Sequence, residues 1–470
     1  MSLPLQPISS SLLPDSPGFA TAKSSMLENL YQWFRSRERV ALPPRSIVRL
    51  EVPVEGAVPM QWLRWQNHPV RCYWSDRRQE LQMAGIGIAD LIRGDAHGEF
   101  MESLPRRLRQ FTEVSGRARY FGGMRFDPQR QADRCWQSYG SYFFVLPRFE
   151  VLVEAGQACF ACNWVVGADD APSTLCDELA AVRETGDKAD EVQATLAPRR
   201  HDNPDKEQWL RNVEAALHRL GSSEIAKVVL SRRTTLSFAQ PPEPLALLDK
   251  LQAIEPRAYH FCFQPQARRA FFGASPERLF RRNGRKLYSE AVAGTCVRGS
   301  TPWEDRRLGE ALLYSDKEYR EHKLVSDAIL DALGPLTLSL EASAEPCLLK
   351  QSRVQHLYSI IDGRLREGIG DGDLLRVLHP TPAVGGLPKL QARQAIAELE
   401  SFDRGWFAGP VGWLGADAAE FAVGIRSAML HGQSLSLFAG AGVVPGSLPE
   451  LEWEEMESKI SVFMAALEDH

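Results

Sequence analysis

The apolar residues of this chain come in short bursts. One of the longest, over residues 142–147, stops at Arg148 and Glu150, far short of the roughly 20 residues that cross a bilayer. No transmembrane helix is expected, so the apolar material must be buried by packing many short elements together. With 470 residues, 44% of them hydrophobic and 24% charged, there is enough for a large core. Length alone fits one large domain or three average ones. A formal net charge of −5 argues against general affinity for nucleic acid or an anionic membrane, so an acidic ligand would need a local arrangement of cations. Eight cysteines in so long a chain read as thiols and not as a disulfide framework. Cys159 and Cys162 form a CxxC, but no second pair or nearby histidine completes a zinc site; they read as two apolar residues in a strand.

The first 25 residues are Ser/Pro-rich, with no basic region followed by an apolar core, and are expected to be a flexible leader and not a secretory signal. Residues 47–166 carry short apolar segments broken by Gly and Pro, such as Tyr120-Phe121-Gly122-Gly123, the texture of strands joined by turns. Residues 167–206 are rich in Ala, Asp, Glu and Arg, predict a helix and a mobile connection, and hold the best boundary: a strand-rich part over 26–200 and a second part over 201–470. In the second part a helix is expected at 207–220 and strands at 225–238, 260–263 and 270–273. Thr301-Pro302-Trp303-Glu304, Ser315-Asp316-Lys317-Glu318 and Ser447-Leu448-Pro449-Glu450 each place a hydroxyl at N-cap and a Glu three residues on, the signature of a capping box. After the second, Val325, Ala328 and Ala332 follow Glu321 at helical spacing, which puts Glu321 on or beside the inward stripe, where a carboxylate needs a partner.

Strand alternation through EIAKVVLSR puts Ile225, Lys227, Val229 and Ser231 on one face. A lysine among apolar neighbours is either a candidate general base, because burial disfavours an ammonium, or a strand-edge lysine whose head reaches water. Glu277 follows Phe271-Phe272 and sits in a turn beside an apolar region, where a carboxyl can stay protonated and act as an acid; a surface glutamate is the alternative. On the last helix Glu452, Glu455 and Lys459 share one face, beside the stripe Met456, Ile460, Phe463 and Leu467. A solvated Glu455–Lys459 ion pair explains that spacing, and so, together with Glu321, does a hard divalent cation held by carboxylates. Residues 440–446 look like a glycine loop between a strand and a helix. Its third glycine is one place late and only about 24 residues follow, too few to complete a dinucleotide fold, but its main-chain donors suit a carboxylate. GIGDGD from Gly368 and the pair His201-Asp202 read as loops.

These strings, KVVLSR at Lys227, GASPERL at Gly273, AVAGT at Ala291, DKEYREHKLV at Asp316, VQHL at Val354, LHPTPAVGG at Leu378, VGIRSAML at Val423, FAGAGVVPGS at Phe438 and PELEWEEMESK at Pro449, resemble in order the chorismate-utilising enzymes, which include isochorismate, salicylate, anthranilate and aminodeoxychorismate synthases. The first 200 residues match more loosely, chiefly through YFGGMRFDP at Tyr120. The resemblance implies an α+β fold: two stacked antiparallel sheets flanked by helices, as in anthranilate synthase component I, with the first block part of that one large fold. It implies Lys227 as the base that activates water for attack at C2 of chorismate and Glu277 as the acid for the departing C4 hydroxyl. Glu321 and Glu455 are implied as Mg²⁺ ligands, with Glu318 and Glu452 behind them through water. Arg426 and Lys459 match the cations for substrate carboxylates, assisted by main-chain donors at Gly440 and Ala441, while His379 matches the histidine near the ring carboxylate and Thr295 lines the pocket.

Within that family, Lys227 points to water as nucleophile where ammonia-using members lack the lysine, so no glutamine amidotransferase subunit is expected. Ala293 stands where some aminodeoxychorismate synthases carry a nucleophilic lysine, and Ala383, where salicylate synthases tend to carry Thr, favours stopping at isochorismate. Cys296-Val297 replaces a frequent Arg-Pro, and Phe407 a frequent Tyr. The expectation is a Mg²⁺-dependent, monomeric, cytoplasmic isochorismate synthase, for menaquinone or phylloquinone synthesis; the alternatives are a salicylate synthase or an isochorismate synthase serving siderophore or salicylate production.

Overall fold

A computed structural model of the protein describes residues 17–35, 42, 45–95, 100, 104, 117–167, 172–184, 198–222, 225–351 and 354–468. The short apolar segments become strands of two antiparallel sheets. A 12-stranded sheet runs from Ile47–Pro53 at one edge to Gly386–Leu387 at the other, and a 10-stranded sheet runs from Thr337–Ala342 to Asp90–Gly94. The sheets stack into one sandwich with helices outside: Pro244–Ile254 and Pro449–Glu468 lie on the first, Pro302–Leu313 and Asp316–Leu333 on the second. This is the expected α+β architecture.

The first block is woven into both sheets. Arg71–Ser75 pairs with Tyr259–Gln266 in the larger sheet, and Tyr120–Met124 pairs with Pro410–Leu414 in the smaller. Between the two, Trp136 packs edge-on to Phe271 at 5.3 Å and Tyr139 to Trp406 at 4.9 Å, while the Tyr139 hydroxyl donates to the Phe263 carbonyl at 2.8 Å. Aromatic area of this kind is the largest apolar contribution available to a core, and here both blocks supply it. No helix among the described residues is long and apolar enough to span a membrane.

Several local expectations change. The helix Pro17–Arg35 runs through residue 25, because Phe19, Ala22, Met26 and Leu30 form one stripe that is buried in the core; the expected end of the leader at that position is therefore no structural break. Residues 1–16 and the connection over 185–197 lie outside the described residues. His201 and Asp202 belong to the strand Arg199–Asn203, paired with Lys227–Ser237, and are not a loop. Cys159 and Cys162 sit in Gln157–Val165, where burial pushes their thiols up to about 11 and about 12, as fits apolar filling.

Of the three helix starts, Thr301 and Ser315 are N-caps that accept the N–H of Glu304 and Glu318. The third helix begins at Pro449, and Ser447 instead accepts the N–H of Val444 at 3.1 Å. Along Asp316–Leu333 the buried stripe is His322, Val325, Ser326, Ile329 and Leu333, with Ala328 and Ala332 on its shoulder.

Four short links carry the chain directly from one sheet to the other, and two of them build the site. Residues 276–277 link Arg269–Ser275 of the larger sheet to Arg278–Asn283 of the smaller, and residues 424–426 link Ala418–Val423 of the smaller to Ser427–His431 of the larger. The two crossings are tied together: Ser275 Oγ donates to the Val423 carbonyl at 2.6 Å, the Val423 N–H to the Glu277 carbonyl at 3.0 Å, and the Ala274 N–H to the Arg426 carbonyl at 3.0 Å.

Candidate active site

A cleft opens beside these crossings, and Glu277 and Arg426 line it together. Glu277 is buried; its burial, reinforced by the nearby Glu290 carboxylate, pushes its carboxyl up to about 8 against the opposing pull of Lys227. It is therefore a protonated acid at neutral pH. Arg426 has φ +47°, an uncommon conformation for a non-glycine residue, enforced by the crossing. Burial lowers its guanidinium from the usual range, and Glu255 at 3.7 Å is the carboxylate that opposes this.

Lys227, Val229 and Ser231 line the same cleft, as strand alternation required. The Lys227 amino group is buried and donates to Glu321 Oε1 at 2.6 Å, so each satisfies the other. Gly442 faces the lysine from the neighbouring strand; a Cβ there would lie 3.1 Å from Lys227 Cε, and its absence leaves the side chain room.

Four carboxylates enter from two helices: Glu318 and Glu321 from Asp316–Leu333, Glu452 and Glu455 from Pro449–Glu468. Burial and then Glu321 raise Glu318, while burial and then Glu455 raise Glu452. Burial would raise Glu455 too, but Lys459, 2.6 Å away, holds it down. Crowded, half-desolvated oxygen donors are the ligand type a hard cation takes, and a cation would relieve their mutual repulsion. Among the described residues no three of them converge as a formed metal cluster; Glu321 and Glu455 are each held by a lysine.

Residues 440–443 continue the strand Ser434–Val443 and do not form the expected loop. Ser231 donates its N–H to Glu400 at 2.8 Å and Val229 to the Gly385 carbonyl at 3.0 Å, both away from this strand. Antiparallel alternation then gives the ladder bonds to Leu230 and its opposite, Ala441. The Ala441 amide is thus consumed and Ala441 is absent from the cleft wall, a correction to its expected role. Gly440 lines the cleft, and its carbonyl accepts from Lys459 at 2.8 Å. Thr295 lines it, and so does Ala383, but His379 does not. His379 terminates the helix Asp371–Leu378, and its Nε2 lies 3.0 Å from the Phe126 carbonyl.

Residues 36–468 match the family model described as chorismate binding enzyme. The chain belongs to the chorismate-binding enzymes. Isochorismate synthase MenF of Escherichia coli (strain K12) is 33% identical over 93% of this chain and 96% of that protein. The MenF of Bacillus subtilis (strain 168) is 34% identical over 84% and 88% respectively, and the chloroplastic isochorismate synthase of Catharanthus roseus 33% over 89% and 80%. The solved structure of E. coli MenF, the menaquinone-specific isochorismate synthase, matches with a TM-score of 0.84 at 30% identity, covering 95% of this chain and 100% of that one. Anthranilate synthase component I from Streptococcus pneumoniae shares the fold, with a TM-score of 0.67 at 20% identity over 98% of this chain and 100% of that one.

In this chorismate-binding enzyme the histidine of the cleft is His356, whose Nδ1 lies 2.8 Å from Thr295 Oγ1. Burial, with Arg426 and Lys459 nearby, pushes it down to about 3, which makes it a neutral imidazole. The VQHL string contained it but no spacing pointed to it. Arg404 was also invisible: it donates to the Val229 and Val384 carbonyls at 2.7 and 2.9 Å and pairs with Glu400 at 2.5 Å, fastening the Ala383 loop to the Lys227 strand. Its only sequence trace is the Glu400/Arg404 spacing of four.

Proposed function

We propose that this chorismate-binding enzyme is an isochorismate synthase. One observation carries the reading: a lysine and a carboxyl held protonated at neutral pH line one cleft, Lys227 from the larger sheet and Glu277 from the crossing between sheets. Lys227, acting as the free amine, takes a proton from water as its oxygen bonds to C2 of chorismate, the ring double bonds shift, and the C4–O bond breaks as Glu277 gives its proton to the departing hydroxyl. One water enters and one leaves, and solvent carries the proton gained by Lys227 back to Glu277, so the net change is an isomerisation. Arg426 offers a forked contact to the pyruvyl carboxylate and Lys459 a point charge to the substrate. His356, bonded to Thr295, stands in the wall as a neutral imidazole and adds no charge. Mg²⁺ held by Glu321 and Glu455, with Glu318 and Glu452 behind them through water, would neutralise the ring carboxylate; the crowding of these four acids supports that assignment.

Ala383 in the wall, with no hydroxyl, supports release of isochorismate before pyruvate is lost. Likeness to the menaquinone-specific enzyme of E. coli favours a quinone pathway. Monomeric, cytoplasmic action without an amidotransferase subunit belongs to the same proposal and rests on the family resemblance. The test is purified protein with chorismate and Mg²⁺. Isochorismate should accumulate without pyruvate, and Lys227→Ala should lower turnover by roughly 10² or more. Pyruvate in proportion to chorismate consumed would make it a salicylate synthase, and full activity of Lys227→Ala would remove the proposed base.

A further inference from the structure

We propose that the ion pair Arg77–Glu290 positions the acid Glu277, so that the first block of the chain takes part in the chemistry although none of its described residues lines the cleft. The inference rests on the reading of Glu277 as the proton donor. Arg77 lies in the turn between Arg71–Ser75 and Leu81–Ile86, a turn fixed by Asp76 Oδ1, which accepts the N–H groups of Arg78 and Glu80 at 3.1 and 2.9 Å. From there the guanidinium crosses to the other sheet and grips Glu290 with two bonds, at 2.9 and 2.7 Å. The same Arg77 donates to the Pro276 carbonyl at 3.1 Å, and the same Glu290 accepts the Arg278 N–H at 2.7 Å. The peptide groups on both sides of Glu277 are thus held by one ion pair.

Around this pair the remaining polar atoms are satisfied. The Tyr358 hydroxyl donates to Glu290 at 3.0 Å, Arg77 stacks over Tyr259 at 5.1 Å, and Tyr259 and Arg278 both donate to Glu420, at 2.9 and 3.1 Å. A pair that merely held the sheets together would have no need to bracket a cleft residue. Glu290 is also the like-charged neighbour of Glu277; the groups that face the acid from other elements are Lys227, the Thr381 hydroxyl and Lys459, which act in the opposite sense.

The experiment uses the full-length enzyme with Mg²⁺ and follows chorismate consumption between about pH 6 and 10. Glu290→Gln removes the like charge and keeps the shape, so the alkaline limb of kcat/KM should move to lower pH by roughly half a unit to one unit. Arg77→Lys keeps the charge but has no fork to hold both Glu290 and the Pro276 carbonyl, so kcat should fall about tenfold with KM within about twofold. A fold-holding role alone would lower the unfolding midpoint and leave the limb and the kcat-to-KM split unchanged, and that result overturns the proposal. If Glu290→Gln does not fold, Arg77→Lys decides by the same split. Glu277→Gln separates the two layers: if it stays active, the reading of Glu277 as the acid fails and this proposal with it. If it is inactive while Glu290→Gln leaves the limb in place, only the positioning proposal falls.

Discussion

Glu277→Gln should inactivate the enzyme and stabilise it, with the stabilisation appearing only as pH rises. The carboxyl titrates near 4.5 in water and near 8 in the folded chain, chiefly because of burial. Between those values the native state binds a proton that the unfolded state has released, so stability falls as pH rises across the window and is lowest above the folded value. Each pH unit of that window is worth about 1.36 kcal/mol, so the burden on the native enzyme is below about 1 kcal/mol at pH 5 and on the order of 4 kcal/mol at pH 8. Glutamine, neutral and of the same shape, carries none of it. Urea unfolding of both proteins at these two pH values, with the slope checked for constancy, measures the difference directly. The gain should be small at the lower pH and several kcal/mol at the higher. A gain of equal size at both would show that the carboxyl does not titrate in this window, and no gain at either would mean that it is already ionised in the native state; both results would refute the reasoning.

Arg426→Lys keeps the charge and loses the fork, so KM for chorismate should rise roughly tenfold or more in steady-state assays while the fold is retained. Gly386 has φ +127° and a Cβ there would lie 2.2 Å from the Lys227 carbonyl; Gly386→Ala should cost about 2 kcal/mol or more in thermal or urea unfolding and reduce activity by displacing the base strand. Mg²⁺ should raise the unfolding free energy of the ligand-free protein by about 2.7 kcal/mol at a hundred times its Kd, and a chelator should reverse this. The rise should vanish in Glu321→Gln, and a rise that persisted there would place the ion elsewhere.

Much of this was legible along the chain because it depends on local periodicity. Strand alternation is enough to put Lys227, Val229 and Ser231 on one face, and helical spacing enough to align Glu452, Glu455 and Lys459. The capping residues Thr301 and Ser315 act within one turn, and each was readable from four residues. The failures share a different cause. Nothing near residue 25 reveals that Phe19, Ala22, Met26 and Leu30 have a surface to bury against. His379 and His356 are both single histidines next to apolar runs, and only the path of the backbone decides that one faces Phe126 and the other the cleft. Gly440 and Ala441 lie beside glycines that suggest a loop, but the strand opposite continues and claims the amide of one of them.

By itself, then, the sequence determined which side chains share a face, where helices begin, and, through nine ordered strings, the family. The tertiary structure alone decided which faces meet. Glu277 is an acid at neutral pH because two sheets close over the crossing that carries it and Glu290 lies behind it; both are facts of distance and desolvation between residues far apart in the chain. The same holds for Lys227 and Glu321, 94 positions apart and 2.6 Å from each other, and for Arg77, whose guanidinium reaches Glu290 across 213 positions. Electrostatic energy depends on separation in space and on the water excluded from between the charges, and neither quantity is written in the order of residues.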